Sequence, residues 1–163
     1  MVTVRTLAAD EWQVWRELRL EALVDAPESF MSTHAEEVTK PDTFWQDVVA
    51  ATANHERGDL WVAEVDGSAV GQAFGRLDPD GSSVHVFAMW VSPTARGRGV
   101  GRALLEAVVD WGRDAGATMA DLWVTEGNEA AETLYRRSGF EPAGERERLR
   151  DTGRFVVRLE RAL

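Results

Sequence analysis

Apolar positions along the chain change their period several times, and the changes mark its elements. Val2 to Leu7 alternates apolar and polar residues, as a half-buried strand does. From about Asp10 to Val24 the residues Trp12, Trp15, Leu18 and Leu23 recur at helical spacing. The segment Asp25-Ala26-Pro27 ends that helix, because the residue before a proline avoids helical angles. Pro41-Asp42 opens a second helix running to about Asn54, with the proline tolerated in its first turn. The period then shortens to two. Leu60 to Val65 and Ala69 to Leu77 read as strands joined by Asp66-Gly67, a strong hairpin signal. The turn Asp78-Pro79-Asp80-Gly81 leads to another strand, Val84 to Val91, closed before Pro93. Val100, Leu104, Val108 and Trp111 form one stripe of a helix from about Gly99 to Ala115, stopped by Gly116. Ala120 to Thr125 reads as a strand and Asn128 to Ser138 as a helix stopped by Gly139. Phe140 to Leu149 and Phe155 to Leu159 make a hairpin around Asp151-Thr152-Gly153. The order β-α-α-β-β-β-α-β-α-β-β gives an α/β (α+β) fold class, a mixed sheet with helices on its faces.

Composition narrows the class. A chain of 163 residues fits one domain, 1–163, and buries a stable core without staples. It has no cysteine, hence no disulfide, thiolate metal site or cysteine nucleophile. His34, His55 and His85 lie far apart, with no spacing that suggests a metal site. No apolar run approaches membrane-span length, and the N-terminus opens as a strand rather than a signal peptide. A soluble cytoplasmic protein with no membrane partner is therefore expected. The net charge of −10 argues against nucleic acid as a partner, since duplex binding rests on neutralising phosphates. The excess acid leans weakly towards cationic small molecules, and surface solubility explains it as well.

One segment departs from this acidic background. Val91-Ser92-Pro93-Thr94-Ala95-Arg96-Gly97-Arg98-Gly99-Val100-Gly101-Arg102 leaves a strand and enters a helix. From Gly81 to Leu105 there is no Asp or Glu, in a chain with 28 of them. Alternate glycines let the backbone approach a ligand closely. The first helical amides have no intrahelical partner, and the helix dipole favours an anion there by about 0.3–1 kcal/mol. Arginine suits phosphate because its donors form a planar fork. Together these describe a phosphate-binding loop; the plainer alternative is a solvated, arginine-rich turn. A nucleotide P-loop requires Gly-Lys-Ser/Thr, where this chain has Gly101-Arg102-Ala103. The dinucleotide fingerprint requires G-x-G-x-x-G on the first strand of a parallel unit, and the spacing here is G-x-G-x-G after strands that read as antiparallel. Both fail.

Arg96-Gly97-Arg98-Gly99-Val100-Gly101, sited after a strand ending Met89-Trp90-Val91-Ser92-Pro93, resembles the R/Q-x-x-G-x-G/A signature of the GNAT acetyltransferase family. A second block of that family is similar to Leu122-Trp123-Val124-Thr125-Glu126-Gly127-Asn128, followed by Ala131, Leu134-Tyr135 and Gly139-Phe140. The two blocks cover about Val84 to Phe140, while the first two helices match only in kind. The resemblance implies a mostly antiparallel central sheet of about seven strands with helices on both faces. It implies acetyl-CoA as co-substrate, and transfer of acetyl to a primary amine, expected to belong to a small molecule, by direct attack in a ternary complex. It also admits a homodimer.

On this resemblance the pyrophosphate would sit on amides of Arg96, Gly97, Arg98, Gly99, Val100, Gly101 and Arg102. The pantetheine arm would pair along the strand ending at Val91. In the family that strand carries a bulge, and an amide near it holds the thioester carbonyl, here one within Met89, Trp90 and Val91. Asn128 would bond the pantetheine or the neighbouring backbone, cap the helix that follows it, or do both. Tyr135, the only tyrosine, matches the family's tyrosine that protonates the departing thiolate. A phenol of pKa about 10 keeps its proton at neutral pH; on periodicity alone Tyr135 reads as a core aromatic. A base is needed too, because an amine of pKa about 10.4 arrives protonated. Glu126, at a strand end, and His85, with the better intrinsic pKa, are the candidates. Many family members use a water relay instead. The family's acceptor pocket is shaped by the first two helices and the final hairpin, so Phe30 and Met31 would line it and Glu28 would meet a cation. Trp12, Trp15 and Trp45 read as core.

Other readings remain open at this point. The acceptor is alternatively a protein N-terminus or lysine. A CoA-binding module without catalysis is a second reading, against which Tyr135 and the intact glycine loop argue. A nucleotide-binding domain is a third, weakened by the failure of both nucleotide motifs.

Overall fold

The elements expected from periodicity are present in the expected order, with short additions between the first two helices. A computed structural model describes residues 1–149 and 152–163. In chain order these form β1 (Val2–Thr6), α1 (Trp12–Asp25), α2 (His34–Glu37), α3 (Asp42–Ala50), β2 (Gly58–Val65), β3 (Ser68–Leu77), β4 (Ser83–Val91), α4 (Val100–Asp114), β5 (Met119–Thr125), α5 (Glu129–Arg137), β6 (Glu141–Leu149) and β7 (Arg154–Ala162). The addition α2 is a single turn held by a capping box. Glu36 N donates to the Thr33 hydroxyl at 3.2 Å, and Thr33 N to the Glu36 carboxylate at 2.8 Å. Its Thr-x-x-Glu signature stood in the sequence without an apolar stripe behind it. The second expected helix is shorter than predicted, ending at Ala50 rather than Asn54. β7 runs past its expected end to Ala162, and Asp151 of the predicted hairpin turn lies outside the described residues.

The seven strands make one sheet in the order β1-β2-β3-β4-β5-β7-β6. Every neighbouring pair is antiparallel except β4 and β5, which run parallel. The Asp66-Gly67 turn forms as its sequence requires. Both residues have positive φ, 52° and 80°, the two-residue geometry whose twist matches a hairpin.

Helices α4 and α5 cover one face of the sheet, and α1 and α3 the other. Under α4 and α5 the core includes Val84, Val86, Val100, Leu104, Val108, Leu122 and Tyr135. Under α1 and α3 it includes Trp15, Leu18, Trp45, Val49, Leu60, Val62 and Trp90. Trp15 and Trp45 are core, as expected, and Trp12 packs at the margin of that layer. Helix α4 lies flush on the sheet because glycines face it. A Cβ at Gly112 would stand 2.5 Å from Val84 Cγ1, and one at Gly75 would stand 2.6 Å from Val108 Cγ1. That close seating fixes the N-terminus of α4 over the end of β4.

Candidate active site

The parallel pair β4 and β5 is joined only from Ser83–Met119 to Val86–Leu122. Beyond this the two strands have no register partners in each other, although both are interior to the sheet. Phe87 to Val91 and Trp123 to Thr125 therefore face each other across a cleft. The loop after α1 reaches its β5 side, where the Thr125 hydroxyl donates to the Glu28 carbonyl at 3.3 Å.

On its other edge β4 carries the bulge that the family resemblance implies. Phe87 pairs with Phe74 and Trp90 with Gln72, so Ala88 and Met89 together oppose Ala73. Ala88 takes φ of 50°. From Met89 in the bulge onward the side chains alternate, Met89 and Val91 to the α4 face and Trp90 to the α1 face. Ser92 N donates to Val70 O at 2.8 Å. Backbone groups alternate between edges along a strand, so Trp90 shares the β3 edge while the amides of Met89 and Val91 face the cleft. Of the three residues expected to supply a cofactor-facing amide, Trp90 is thus committed elsewhere. Its indole N–H donates to Asp25 at 2.9 Å.

The loop from β4 to α4 separates its glycines by function. Gly97 and Gly99 have φ of 74° and 80°, with nothing within 4 Å of a Cβ placed on either. Gly101 has an ordinary helical role and packs against Leu134, Met89 and Val91. The first carbonyl-bonded amide of α4 is that of Ala103, which donates to Gly99 O at 3.0 Å. Among the described residues, the amides of Gly97, Arg98, Gly99, Val100, Gly101 and Arg102 have no protein acceptor. The side chain of Val100 is core, 1% exposed, which leaves its amide as the group available to a ligand. Arg98 and Arg102 are exposed. Arg96 is not free: its Nε donates to Val91 O at 3.0 Å and its guanidinium pairs with Asp25. The Trp90 bond, with Arg96 beside it, holds the Asp25 carboxyl below the usual aspartate range. Asp25, expected only to end a helix, is the clamp that ties α1 to the loop.

Tyr135 is 8% exposed and packs edge-on to Phe140, 6.3 Å between ring centroids. Burial pushes its phenol up to about 12. The Asn128 side chain accepts from Ala131 N at 3.2 Å, so its capping role is realised, with its amide group left over.

Neither candidate base is placed to act directly. The Glu126 carboxylate is gripped by Arg146 at 2.8 and 2.9 Å, and Arg146 stacks 3.5 Å over the Phe155 ring. Arg146 holds Glu126 below the ordinary glutamate range, which weakens it as a proton acceptor. His85 lies on the paired half of β4, roughly 13 Å along the strand from Met89 at about 3.3 Å per residue. Its Nδ1 pairs with buried Asp121, which Arg158 also holds at 2.5 and 2.9 Å, and its Nε2 is 3.6 Å from Asp78. Beside the segment between α1 and α3, Arg19 of α1 bonds Glu37 at 2.8 and 3.0 Å and covers the Phe30 ring at 4.8 Å. Met31 is 66% exposed. Among the described residues no acidic or histidine cluster forms a metal site, and no helix is long and apolar enough to cross a membrane.

A family model described as the acetyltransferase (GNAT) family matches residues 12–140. A mycothiol acetyltransferase of Beutenbergia cavernae is 29% identical over 132 residues, covering 81% of this chain and 42% of that protein. The L-2,4-diaminobutyric acid acetyltransferase of Nocardia farcinica is 39% identical over 79 residues, 48% of this chain and 41% of that protein. The chain thus spans less than half the length of these curated relatives. Among solved structures, yncA of Salmonella typhimurium, determined with its cofactor acetyl-CoA, matches with a TM-score of 0.82 at 18% identity. That match covers 100% of this chain and 94% of the other, and it is a likeness of fold. A family model spanning most of the chain, residues 12–140, means that the chain belongs to the acetyltransferase (GNAT) family.

Proposed function

We propose that the chain is an acetyl-CoA-dependent N-acetyltransferase acting on a primary amine of a small molecule, by direct attack in a ternary complex. The observation that carries this reading is an open edge of β4 leading straight to the unpartnered amides of Gly97 to Arg102. An extended arm adds to the first as a strand would, and a pyrophosphate fits the second. Acetyl-CoA supplies the activated thioester; the chain supplies binding, orientation and proton movement. Arg98 and Arg102 assist the amides, while Arg96 holds the loop in place through Asp25. The amide of Met89 polarises the thioester carbonyl, and Val91 and the free amide group of Asn128 bond the pantetheine. Tyr135 gives its proton to the departing sulfur. Its burial does not defeat this, because a thiolate released in the same water-poor site feels the same desolvation. The reference gap between about 10 and about 8.5 is what remains to be bridged. The amine loses its proton through a water relay that ends on His85; Glu126, neutralised by Arg146, serves the relay only as a hydrogen-bonding edge.

Two features support a small acceptor. The names of the relatives above are those of enzymes for small molecules, one of them a diamine. The loop between α1 and α3 is also drawn inward by the Arg19–Glu37 pair and the Thr125–Glu28 bond. The test is calorimetry with acetyl-CoA, with and without ATP, followed in the same cell by a panel of amines and peptides. Binding indifferent to ATP and a heat of turnover with a small amine support the reading. Turnover of peptides alone moves the acceptor to polypeptides, and binding without any turnover leaves a CoA-binding module. No binding overturns the cofactor assignment.

A further inference from the structure

We infer that Gln72 is a positioning residue for acetyl transfer: it grips the β4 bulge and so aims the Met89 amide into the cleft. This rests on the reading above that an amide at the bulge polarises the thioester carbonyl.

Gln72 is an odd residue for its place. It lies on β3, and its register partners on either side, Val62 and Trp90, belong to the apolar layer beneath α1 and α3. It is 0% exposed. A polar side chain is kept in such a layer when it is hydrogen-bonded, and Gln72 has one bond to account for it. Its Nε2 donates to Ala88 O at 3.0 Å. Its Oε1 finds no donor among the described residues. Among the described residues, the polar partner of the side chain is that carbonyl.

The carbonyl belongs to the residue that most needs holding. Ala88 has φ of 50°, a region that side-chain-bearing residues enter at a cost. Such a conformation persists when its surroundings over-determine it. The β3–β4 ladder does not do so, since neither Ala88 nor Met89 has a register partner on β3. Peptide planarity then turns a grip into an aim. The Ala88 C=O and the Met89 N–H are the two ends of one rigid, trans peptide unit and point in opposite directions. With Gln72 fixing the carbonyl end on the β3 side, the N–H end points away from β3, into the gap facing β5. Trp90, the next residue, is pinned by its indole bond to Asp25, so the bulge is held from both sides.

The test is isotope-edited infrared spectroscopy of the full chain with carbonyl-labelled acetyl-CoA, which requires no acceptor. In the wild type the bound thioester carbonyl absorbs at lower frequency than in free acetyl-CoA. In Gln72→Met, which keeps the volume and removes the donor, the bound frequency returns towards the free value. CoA, which lacks the acetyl group, binds that variant with unchanged affinity. Turnover falls roughly tenfold, short of the roughly 10²–10³-fold that follows outright loss of an oxyanion donor. Adding Ala88→Gly, a residue at ease with positive φ, recovers part of the frequency shift, which a mere packing role for Gln72 does not predict. An unchanged bound frequency in Gln72→Met overturns the assignment of Gln72 and leaves the amide reading standing. A wild-type carbonyl with no shift overturns both, because there is then no amide bond to aim. If Gln72→Met does not fold, Gln72→Glu carries the comparison. Its carboxyl donates to Ala88 O only when protonated, so the shift must grow as pH is lowered, and a pH-independent frequency overturns the assignment.

Discussion

Gly101 on α4 and Leu134 on α5 approach so closely that a Cβ added to Gly101 would stand 3.1 Å from Leu134 Cδ2. The same Cβ would meet Met89 Cε at 3.6 Å and Val91 Cγ2 at 3.7 Å, so one backbone position gauges the spacing of α4, α5 and the bulged strand. Gly101→Ala gains about 0.5–1 kcal/mol of helix propensity, which offsets the small displacement of Leu134. Its melting temperature is expected to stay near that of the wild type. Gly101→Val has no such room and is expected to lose about 1–3 kcal/mol through overpacking. It also moves Tyr135 with Leu134, so turnover falls further than stability does. Thermal melts and acetyl-transfer rates on the two variants check this.

Gly99 tests a different property of the same loop. Its surroundings are open, but its φ of 80° is one that a β-branched residue resists. Gly99→Val is expected to cost about 1–2 kcal/mol, leave the fold recognisable by circular dichroism, and abolish acetyl-CoA binding in calorimetry. Undiminished affinity would falsify the phosphate-loop assignment.

Tyr135→Phe is expected to lower turnover by roughly 10²–10⁴-fold, with acetyl-CoA affinity little changed. The phenol also leaves a mark on stability. Its folded pKa of about 12 lies above the ordinary value of 10.0, so the unfolded chain ionises first as the solution becomes alkaline. The stabilisation is whole below pH about 10 and is lost as pH rises towards about 12, a difference of roughly 2–3 kcal/mol between the two ends. Denaturant titrations across that window should show the loss in the wild type and its absence in Tyr135→Phe.

The Arg19–Glu37 pair should govern acid stability of the segment between α1 and α3. Burial pushes the Glu37 carboxyl up, but its bonds to Arg19 and Ser32 outweigh this and leave it below the ordinary glutamate value. A depressed folded pKa means stability that is present above the ordinary value of 4.5 and lost as pH falls through the folded one. Glu37→Gln is expected to lose up to about 3 kcal/mol at neutral pH, because Arg19 is left part-buried without its partner. Wild type and variant should converge in stability as pH falls through the folded value of Glu37, below 4.5.

The β4–α4–β5–α5 order was legible because each element carries its own local signal. Alternation gives the strands, a four-residue stripe gives α4, and Asp66-Gly67 gives the hairpin its two positive φ angles. The glycine loop and Tyr135 were legible through motif spacing, and the burial of Tyr135 agrees with its place on the α5 stripe. What escaped was set by distant partners. Asp25 meets Arg96 and Trp90 from 71 and 65 residues away, and nothing in its own neighbourhood announces that. Glu126 reads as an available carboxylate until Arg146, 20 residues on, closes over it. The site of the bulge was hidden because the residue with positive φ is an alanine, which carries no local mark of that conformation. Gln72 did leave a trace, as a polar residue set among Ala69, Val70, Ala73 and Phe74 on β3.

The gap between β4 and β5 has a consequence for the protein before any ligand arrives. Unpaired strand edges belong at the rim of a sheet, where natural sequences blunt them with charge, as the Glu- and Arg-rich β6 does here. Here two further edges open in the middle, and from Phe87 to Val91 the β4 edge carries no charged side chain at all. Such an edge accepts any extended chain, including one from another molecule that is still folding. An occupant of the cleft closes this opening, and it stabilises the folded state by mass action as its concentration rises above Kd. With acetyl-CoA as the proposed occupant, its supply would set how much of this protein stays dispersed in a crowded solution.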